Sequence, residues 1–417
     1  MDIRKISVKE QVLRAMERVY SNALTTTSGG NISAIDENGH IFITPSSIDK
    51  GSLTIDDIVE VLPSGEIIGK HKPSMELPFH SNIYKTCKDV KAIVHAHAPA
   101  VVAYACMRVS PNPKCARVYS DNLGLVVGST YALPGSLKLG NIVMEQFKKG
   151  YRTVMMDNHG ATVGAIDMAT ALAKYETLDY LCRTLFSARA LGEVKYTKEI
   201  PLTLPSYAVK EMNNDVSQVK EDMVRFLQRA YKGGLVGSLF GTLAVRDGGG
   251  FLFNAECDSP LDISAEDIVR FEGGYLSQDK PCKYLDLIKK IFEKNPEANA
   301  VFISMPPATM SFAVVNEDFD ARLIPESYIM LKDVERLGYE AIKDYDLIAS
   351  TISTKVPAVI IDNECVITIG KNITKAFDRL EVLDYSARSV VLAKQISNIQ
   401  PIIGEQVDEI NDAFNGW

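Results

Sequence analysis

No apolar run in this 417-residue chain is long enough to cross a bilayer. The longest, 92–107, is too short and is broken by His95, His97 and Pro99. The N-terminal stretch MDIRKISVKEQVLRAMERVY carries charges throughout and lacks the apolar centre of a secretion signal, which predicts a cytoplasmic protein with no membrane partner. Seven cysteines, at 87, 106, 115, 182, 257, 282 and 365, are scattered, odd in number and free of any CxxC pair. That usage excludes a disulfide framework and a thiolate metal site, and suits small hydrophobes in a reducing compartment. Gly-rich phosphate loops of the Walker and dinucleotide types are missing too, so nucleotide binding has no support. A net charge of −8 leaves no electrostatic footprint for nucleic acid or an anionic membrane surface.

What is present repeats. VKEQVLRAMERVYSNAL at 8–24 is echoed by VKEDMVRFLQRAYKGGL at 219–235, and TIDDIVEV at 54–61 by SAEDIVRF at 264–271. VKAIVHAHAPA at 90–100 returns as ANAVFISMPPA at 298–308, and TVMMDNHGATVG returns as AVIIDNECVITIG at 358–370. Ordered matches over so much of the chain define two copies, 1–205 and 206–417, joined by a Pro- and Asn-containing connector near 195–215. Each copy opens on an amphipathic helix; in the first, Val12, Leu13, Met16, Val19 and Tyr20 fall at helical spacing. Short strands such as IFITP (41–45) and AIVHAH (92–97) follow, separated by turn signals, and a long helix near 167–191 closes the copy. Strands and helices without a regular βαβ rhythm predict an α/β fold, a three-layer sandwich around a mixed sheet.

Comparison of the copies isolates the chemistry. All six histidines lie in the first copy. Alignment pairs His95 with Phe302, His97 with Ser304 and His159 with Glu364, so the strand is kept without its imidazoles. The fold therefore does not need them. His95 and His97 stand two apart in a strand and face the same side, and His159 follows a second strand-like run in the loop DNHG. Three neutral imidazoles in one space suit a divalent transition ion, zinc above all. Glu76, in KPSMELPFH, becomes Tyr284 in the second copy; a carboxylate beside a metal completes its coordination or serves as acid and base. The small, polar loops TTSGGNIS (26–33) and TPSS (44–47) offer backbone N–H groups, the Asn31 amide and hydroxyls to an anion or a sugar.

In the order SGGNIS, TPSS, KPSMELPFHSNIY, VHAHAP and DNHG, the first copy resembles the class II aldolase/adducin family over about residues 10–195. The resemblance implies two tandem α/β/α sandwich domains with mostly antiparallel sheets, the second degenerate. It implies zinc, or another divalent transition metal, held by His95, His97 and His159, with Glu76 as a further ligand at rest and as acid/base in turnover. Gly30, Asn31, Ser46, Ser47 and Ser74 would bind a substrate phosphate, although Met75 stands where family aldolases carry a second phosphate-binding serine. Tyr119 loosely matches a tyrosine lent to a neighbouring subunit's site. The implied activity is retro-aldol cleavage of a sugar or ketose phosphate through an enediolate. Epimerase, decarboxylase or dehydratase chemistry on the same site, and a non-catalytic adducin-like scaffold, stand as alternatives. Family resemblance also implies a homo-oligomer, either a tetramer or a dimer whose tandem halves imitate a fourfold ring.

Overall fold

The computed structural model describes residues 2–198, 200, 202, 204–212, 215–255, 259–280 and 282–414; Cys257 lies outside them. All six described cysteines are free thiols, and every one except Cys106 is buried. The chain divides into two compact units: Met1–Pro113 with Tyr119–Cys182, and Lys114–Val118 with Arg183–Trp417.

The first unit opens on α1 (Val8–Ser21), capped by the Ser7 hydroxyl, which accepts from the Glu10 N–H at 3.3 Å. Val12, Leu13, Ala15, Met16 and Val19 form its buried stripe. Strands β1 (Asn31–Ile35), β2 (Ile41–Ile43), β3 (Val59–Val61), β4 (Ile67–Ile68), β5 (Ala92–Ala96), β6 (Val126–Ser129), β7 (Thr153–Met156) and β8 (Gly160–Ala165) make one sheet. Its order is β4-β3-β2-β1-β5-β8-β7-β6. Every neighbouring pair is antiparallel except β6 with β7. Between the strands run α2 (Leu77–Thr86), α3 (Pro99–Met107), α4 (Arg117–Leu123) and α5 (Leu137–Lys148), and α6 (Met168–Leu191) follows β8.

Alternation along β1 assigns the faces. Ser33 points at α2, where its hydroxyl meets His80 and Tyr84, so Ile32 and Ala34 point to the other side. On the α2 face, Phe79, Ile83, Val143 and Phe147 of α2 and α5 pack with Ile43, Val59, Ile93 and Val154 of the sheet. Each such side chain contributes about 1.5–3 kcal/mol by leaving water. Helix α1 packs on β1 and β2 through residues that belong to none of that cluster, completing the three layers.

The second unit contains β9 (Ala208–Val209), β10 (Thr242–Asp247), β11 (Gly250–Asn254), β12 (Ile268–Glu272), β13 (Tyr275–Leu276), β14 (Ala300–Ser304), β15 (Val334–Leu337), β16 (Ala358–Ile361) and β17 (Cys365–Gly370). Its helices are α7 (Gln218–Lys232), α8 (Leu285–Lys294), α9 (Pro307–Val315), α10 (Pro325–Leu331), α11 (Tyr345–Thr351), α12 (Ile373–Lys394) and α13 (Glu405–Ala413). Sheet order is β15-β16-β17-β14-β10-β11-β12-β13-β9. From β15 to β13 this repeats the first sheet from β6 to β4, including the parallel pair at the same end. The added strand β9 comes from the connector and runs parallel to β13.

Strand register corrects the pairing of the copies by one residue. His95 lies opposite Asn31 on β1, and Ile303 lies opposite Thr242 on β10. Helices α3 and α9, which start on Pro99 and Pro307, keep the same offset. His95 therefore corresponds to Ile303 and His97 to Met305, not to Phe302 and Ser304. The difference matters because a one-residue slip moves a side chain to the opposite face of a sheet. Phe302 packs against Phe377 of α12, on the other side of its sheet from Ile303.

A candidate metal centre

His95 sits near the end of β5, between Asn31 of β1 and Thr162 of β8, in the middle of the first sheet. His97 follows the strand on the same side, its backbone N–H donated to the Leu24 carbonyl at 3.0 Å. His159 occupies the turn between β7 and β8, after Asn158 at φ 53°. Gly160 is required there: a Cβ would stand 2.6 Å from the Ala96 carbonyl oxygen and 2.7 Å from Cδ2 of His97. Gly30 is required on the opposite flank, at φ 66°, where a Cβ would stand 2.7 Å from the His95 carbonyl oxygen.

Together these turns gather three imidazoles. One nitrogen of each lies within 4.8 Å of the others. Nδ1 of His95 is 3.0 Å from the Ala161 carbonyl, which can only accept, so Nδ1 carries the proton and Nε2 presents a lone pair. That Nε2 lies 3.0 Å from Nε2 of His97 and 3.3 Å from Oε2 of Glu76. Burial, reinforced by the neighbouring rings, pushes His95 and His97 down to about 3, and burial also lowers His159. Neutral imidazoles are what a metal requires.

Glu76 stands at the start of α2, its N–H donated to the Ser74 hydroxyl at 3.2 Å. A buried chain of hydrogen bonds aims its carboxylate. Oε2 accepts from Nδ2 of Asn31 at 2.8 Å, which leaves Oδ1 of Asn31 to accept from Nε2 of His80 at 2.6 Å. Nδ1 of His80 then accepts from the Ser33 hydroxyl, and Ser33 from Tyr84, each at 2.6 Å. Burial holds His80 near 3 and raises the Tyr84 phenol, so the chain keeps one protonation pattern. The other oxygen, Oε1, is buried without a hydrogen-bond partner and lies 3.9 Å from Nε2 of His159; Nδ1 of His159 is likewise buried and unpartnered. Three neutral imidazoles beside an unsatisfied carboxylate oxygen fit a divalent transition cation.

The remaining sequence expectations fall around this centre. An isolated bridge between Pro45 and Pro73 draws the two serine loops together. Across it, Ser46 N–H bonds the Lys72 carbonyl at 2.9 Å and Ser74 N–H bonds Thr44 at 3.2 Å. Ser47 is exposed at φ 58°, 3.5 Å from the Ser46 hydroxyl, and Met75 is 70% exposed. Gly30 lies beside His95, as described. Asn31, expected among the substrate groups, has both ends of its amide committed to Glu76 and His80. Tyr119 is wholly buried in α4, and no described contact brings it to the imidazoles. Sequence reading missed His80, Ser33 and Tyr84. It also missed Lys50, a buried ammonium bonded to the Pro45 carbonyl and lowered by burial to about 8, directly beneath the serine loops.

In the second unit the corresponding positions carry Thr242, Tyr284, Ile303, Met305 and Glu364. Here Arg117 takes up the negative charge. Its Nε donates to Oε2 of Glu364 at 2.9 Å and its Nη2 to Oε1, while the Tyr284 hydroxyl donates to the same Oε1 at 2.7 Å. All three side chains are buried. Burial and the Glu364 charge raise the Tyr284 phenol well above its ordinary value, so it remains a donor. A guanidinium fixed by the chain stands among residues that replace the metal-site positions.

The sequence profile of the Class II Aldolase and Adducin N-terminal domain matches residues 10–186 and again 221–391. Those two stretches make up most of the chain, which belongs to the class II aldolase/adducin family. The 5-deoxy-D-ribulose 1-phosphate aldolase of Bacillus thuringiensis serovar kurstaki is 27% identical over 46% of this chain and 90% of its own. The 3-oxo-tetronate 4-phosphate decarboxylase of Pectobacterium atrosepticum is 28% identical over 40% of this chain and 78% of its own. A solved L-fuculose 1-phosphate aldolase aligns with 28% identity and a TM-score of 0.43, over 46% of this chain and 91% of that one. Among the described residues, no helix is long and apolar enough to cross a membrane.

Proposed function

We propose that the chain is a divalent-metal-dependent aldehyde-lyase that cleaves a small phosphorylated ketose by retro-aldol reaction, with its live site in the first copy. The observation that carries this reading is the convergence of three neutral imidazoles on a carboxylate oxygen that has no other partner. A divalent ion held by His95, His97 and His159, zinc by the chemistry of the donor set, would supply Lewis acidity toward the carbonyl and hydroxyl oxygens of the sugar.

The chain's own residues handle the protons. Glu76, with Oε1 uncommitted, takes the proton from the hydroxyl on the carbon that becomes the aldehyde, and returns a proton to the carbon left with the electron pair. Asn31 holds Oε2 and thereby keeps Oε1 turned inward. Gly30, Ser46, Ser47 and Ser74, with the ammonium of Lys50 beneath, provide an anion-binding rim for the phosphate. Tyr119 and the degenerate second copy are assigned to assembly, as a dimer of tandem chains or a tetramer in the cytoplasm.

Decarboxylation is the second reading, favoured by the comparable similarity to a decarboxylase. Both reactions leave an electron pair beside a carbonyl, but only the aldol cleavage needs a base for a hydroxyl proton. Metal analysis of the wild type and His95→Ala tests the site: about one ion per chain, lost in the variant, is expected. No bound metal after supplementation would refute enzymatic function. With loaded protein, release of an aldehyde supports the lyase, whereas release of carbon dioxide from a 3-oxo acid selects the decarboxylase.

A further inference from the structure

The second unit has no histidine, yet it holds a cavity of about 230 Å³ whose lining includes none of Glu364, Tyr284 and Arg117. Three cations line it: Lys371, at the end of β17, and Lys375 and Arg379 on the first turns of α12. Spaced four apart, the last two share one face of the helix. Opposite them are Ile329 and Met330 of α10, and Glu297 is the single acid in the lining.

Two of these three cations, Lys371 and Lys375, are specific to the second copy. Carrying the offset of β8 and β17 into the helices that follow, the first copy has Ile166, Thr170 and Lys174 at the same places. The half that lost its metal ligands has gained two positive charges, and a guanidinium in place of an ammonium, around a hollow.

Arg379 shows why the hollow calls for an anion. It is half-buried, and its Nε and Nη1 donate to the carbonyls of Met330 at 3.3 Å and Ile369 at 2.7 Å. Those bonds fix the guanidinium plane but bring no negative charge, and no described carboxylate bonds to it. Lys375 has Asp378 at 3.8 Å and the Met330 sulfur at 3.7 Å, while the Lys371 side chain is exposed. A partly desolvated guanidinium held only by carbonyls is stabilised when an anion completes it. The volume lies below the range of about 300–1,000 Å³ typical of drug-sized ligands, so the occupant is small.

We infer that this cavity binds the phosphate of a small phosphorylated metabolite, with Lys371, Lys375 and Arg379 on the phosphate and the Ile329–Met330 wall against its carbon skeleton. This goes beyond the aldolase reading and does not depend on it.

The test is calorimetric titration of the full chain with glycerol 3-phosphate and with inorganic phosphate, in the wild type, Lys371→Glu, Lys375→Met and Ser74→Ala. The expected result is a binding event weakened by about tenfold or more in each lysine variant, whereas any separate event at the serine rim of the first copy responds to Ser74→Ala instead. Lys371→Glu alters an exposed side chain, and unchanged thermal melting will show that it folds; Arg379→Lys, which keeps the charge but loses the fork, is expected to weaken binding less than Lys375→Met. Isotherms unmoved by both lysine variants would overturn the assignment. So would binding lost only in Ser74→Ala, or inorganic phosphate binding as tightly as glycerol 3-phosphate, since the apolar wall would then have no part.

Discussion

Asn31→Val separates two roles that one residue is asked to play. Valine keeps the volume and suits a strand, and the second copy already places β-branched Thr242 at this position. The substitution removes the 2.8 Å bond to Glu76 and the 2.6 Å bond from His80. A hydrogen bond to a charged group contributes about 1.5–3 kcal/mol, and each factor of ten in a binding constant is about 1.4 kcal/mol. Released to turn, Glu76 no longer offers a fixed oxygen to the cation, so metal affinity should fall by about 10- to 100-fold, the range for partners that orient a ligand. Competition for zinc against a chromophoric chelator measures this directly and needs no substrate. An affinity within about twofold of wild type would refute the argument that Asn31 positions the carboxylate. A rise in KM for a phosphorylated substrate, with metal affinity unmoved, would assign Asn31 to the phosphate rim instead.

Acid should weaken the metal-free protein. His80, His95 and His97 sit near 3 when folded against 6.5 for an ordinary imidazole, so the unfolded chain binds more protons between those values. Stability is fully present above about pH 6.5 and is lost as pH falls toward 3, by up to about 1.4 kcal/mol per pH unit for each imidazole kept neutral. Denaturant midpoints at about pH 7.5 and 5.5 should differ in that sense, and equal midpoints would contradict the burial of neutral rings. In the second unit, Arg117→Met should cost about 3–5 kcal/mol by leaving Glu364 buried and uncompensated. Adding Glu364→Gln should recover much of that loss in the same melts, and a single variant as stable as wild type would deny the guanidinium its role.

The imidazole set was legible because the chain carries its own control: a second copy with the same strands and no histidine. Pairing His95 with Phe302 is off by one: the equal-length stretches 90–100 and 298–308 already set His95 on Ile303, and the strand register agrees, where a slip would reverse the faces in space. The partners of Asn31 were hidden for a different reason. Its partners Glu76 and His80 are 45 and 49 residues away, and a glycine-rich turn gives no sign that the amide beside it is already committed. Lys50 carries no sequence signal of burial; only the fold brings its ammonium out of water and onto the Pro45 carbonyl. Arg117 escaped altogether, because it meets Glu364 across 247 residues.

That last pairing bears on how the chain can be divided. The stretch Lys114–Val118 lies within the sequence of the first copy but is counted with the second compact unit, where Arg117 neutralises Glu364 and the Asn363 amide donates to the Cys115 carbonyl at 2.7 Å. A single scission at the connector would leave the C-terminal fragment with a carboxylate sealed from solvent and its cation on the other piece. The sequence repeat and the compact units thus have different boundaries, and a cut that respects the first severs the second.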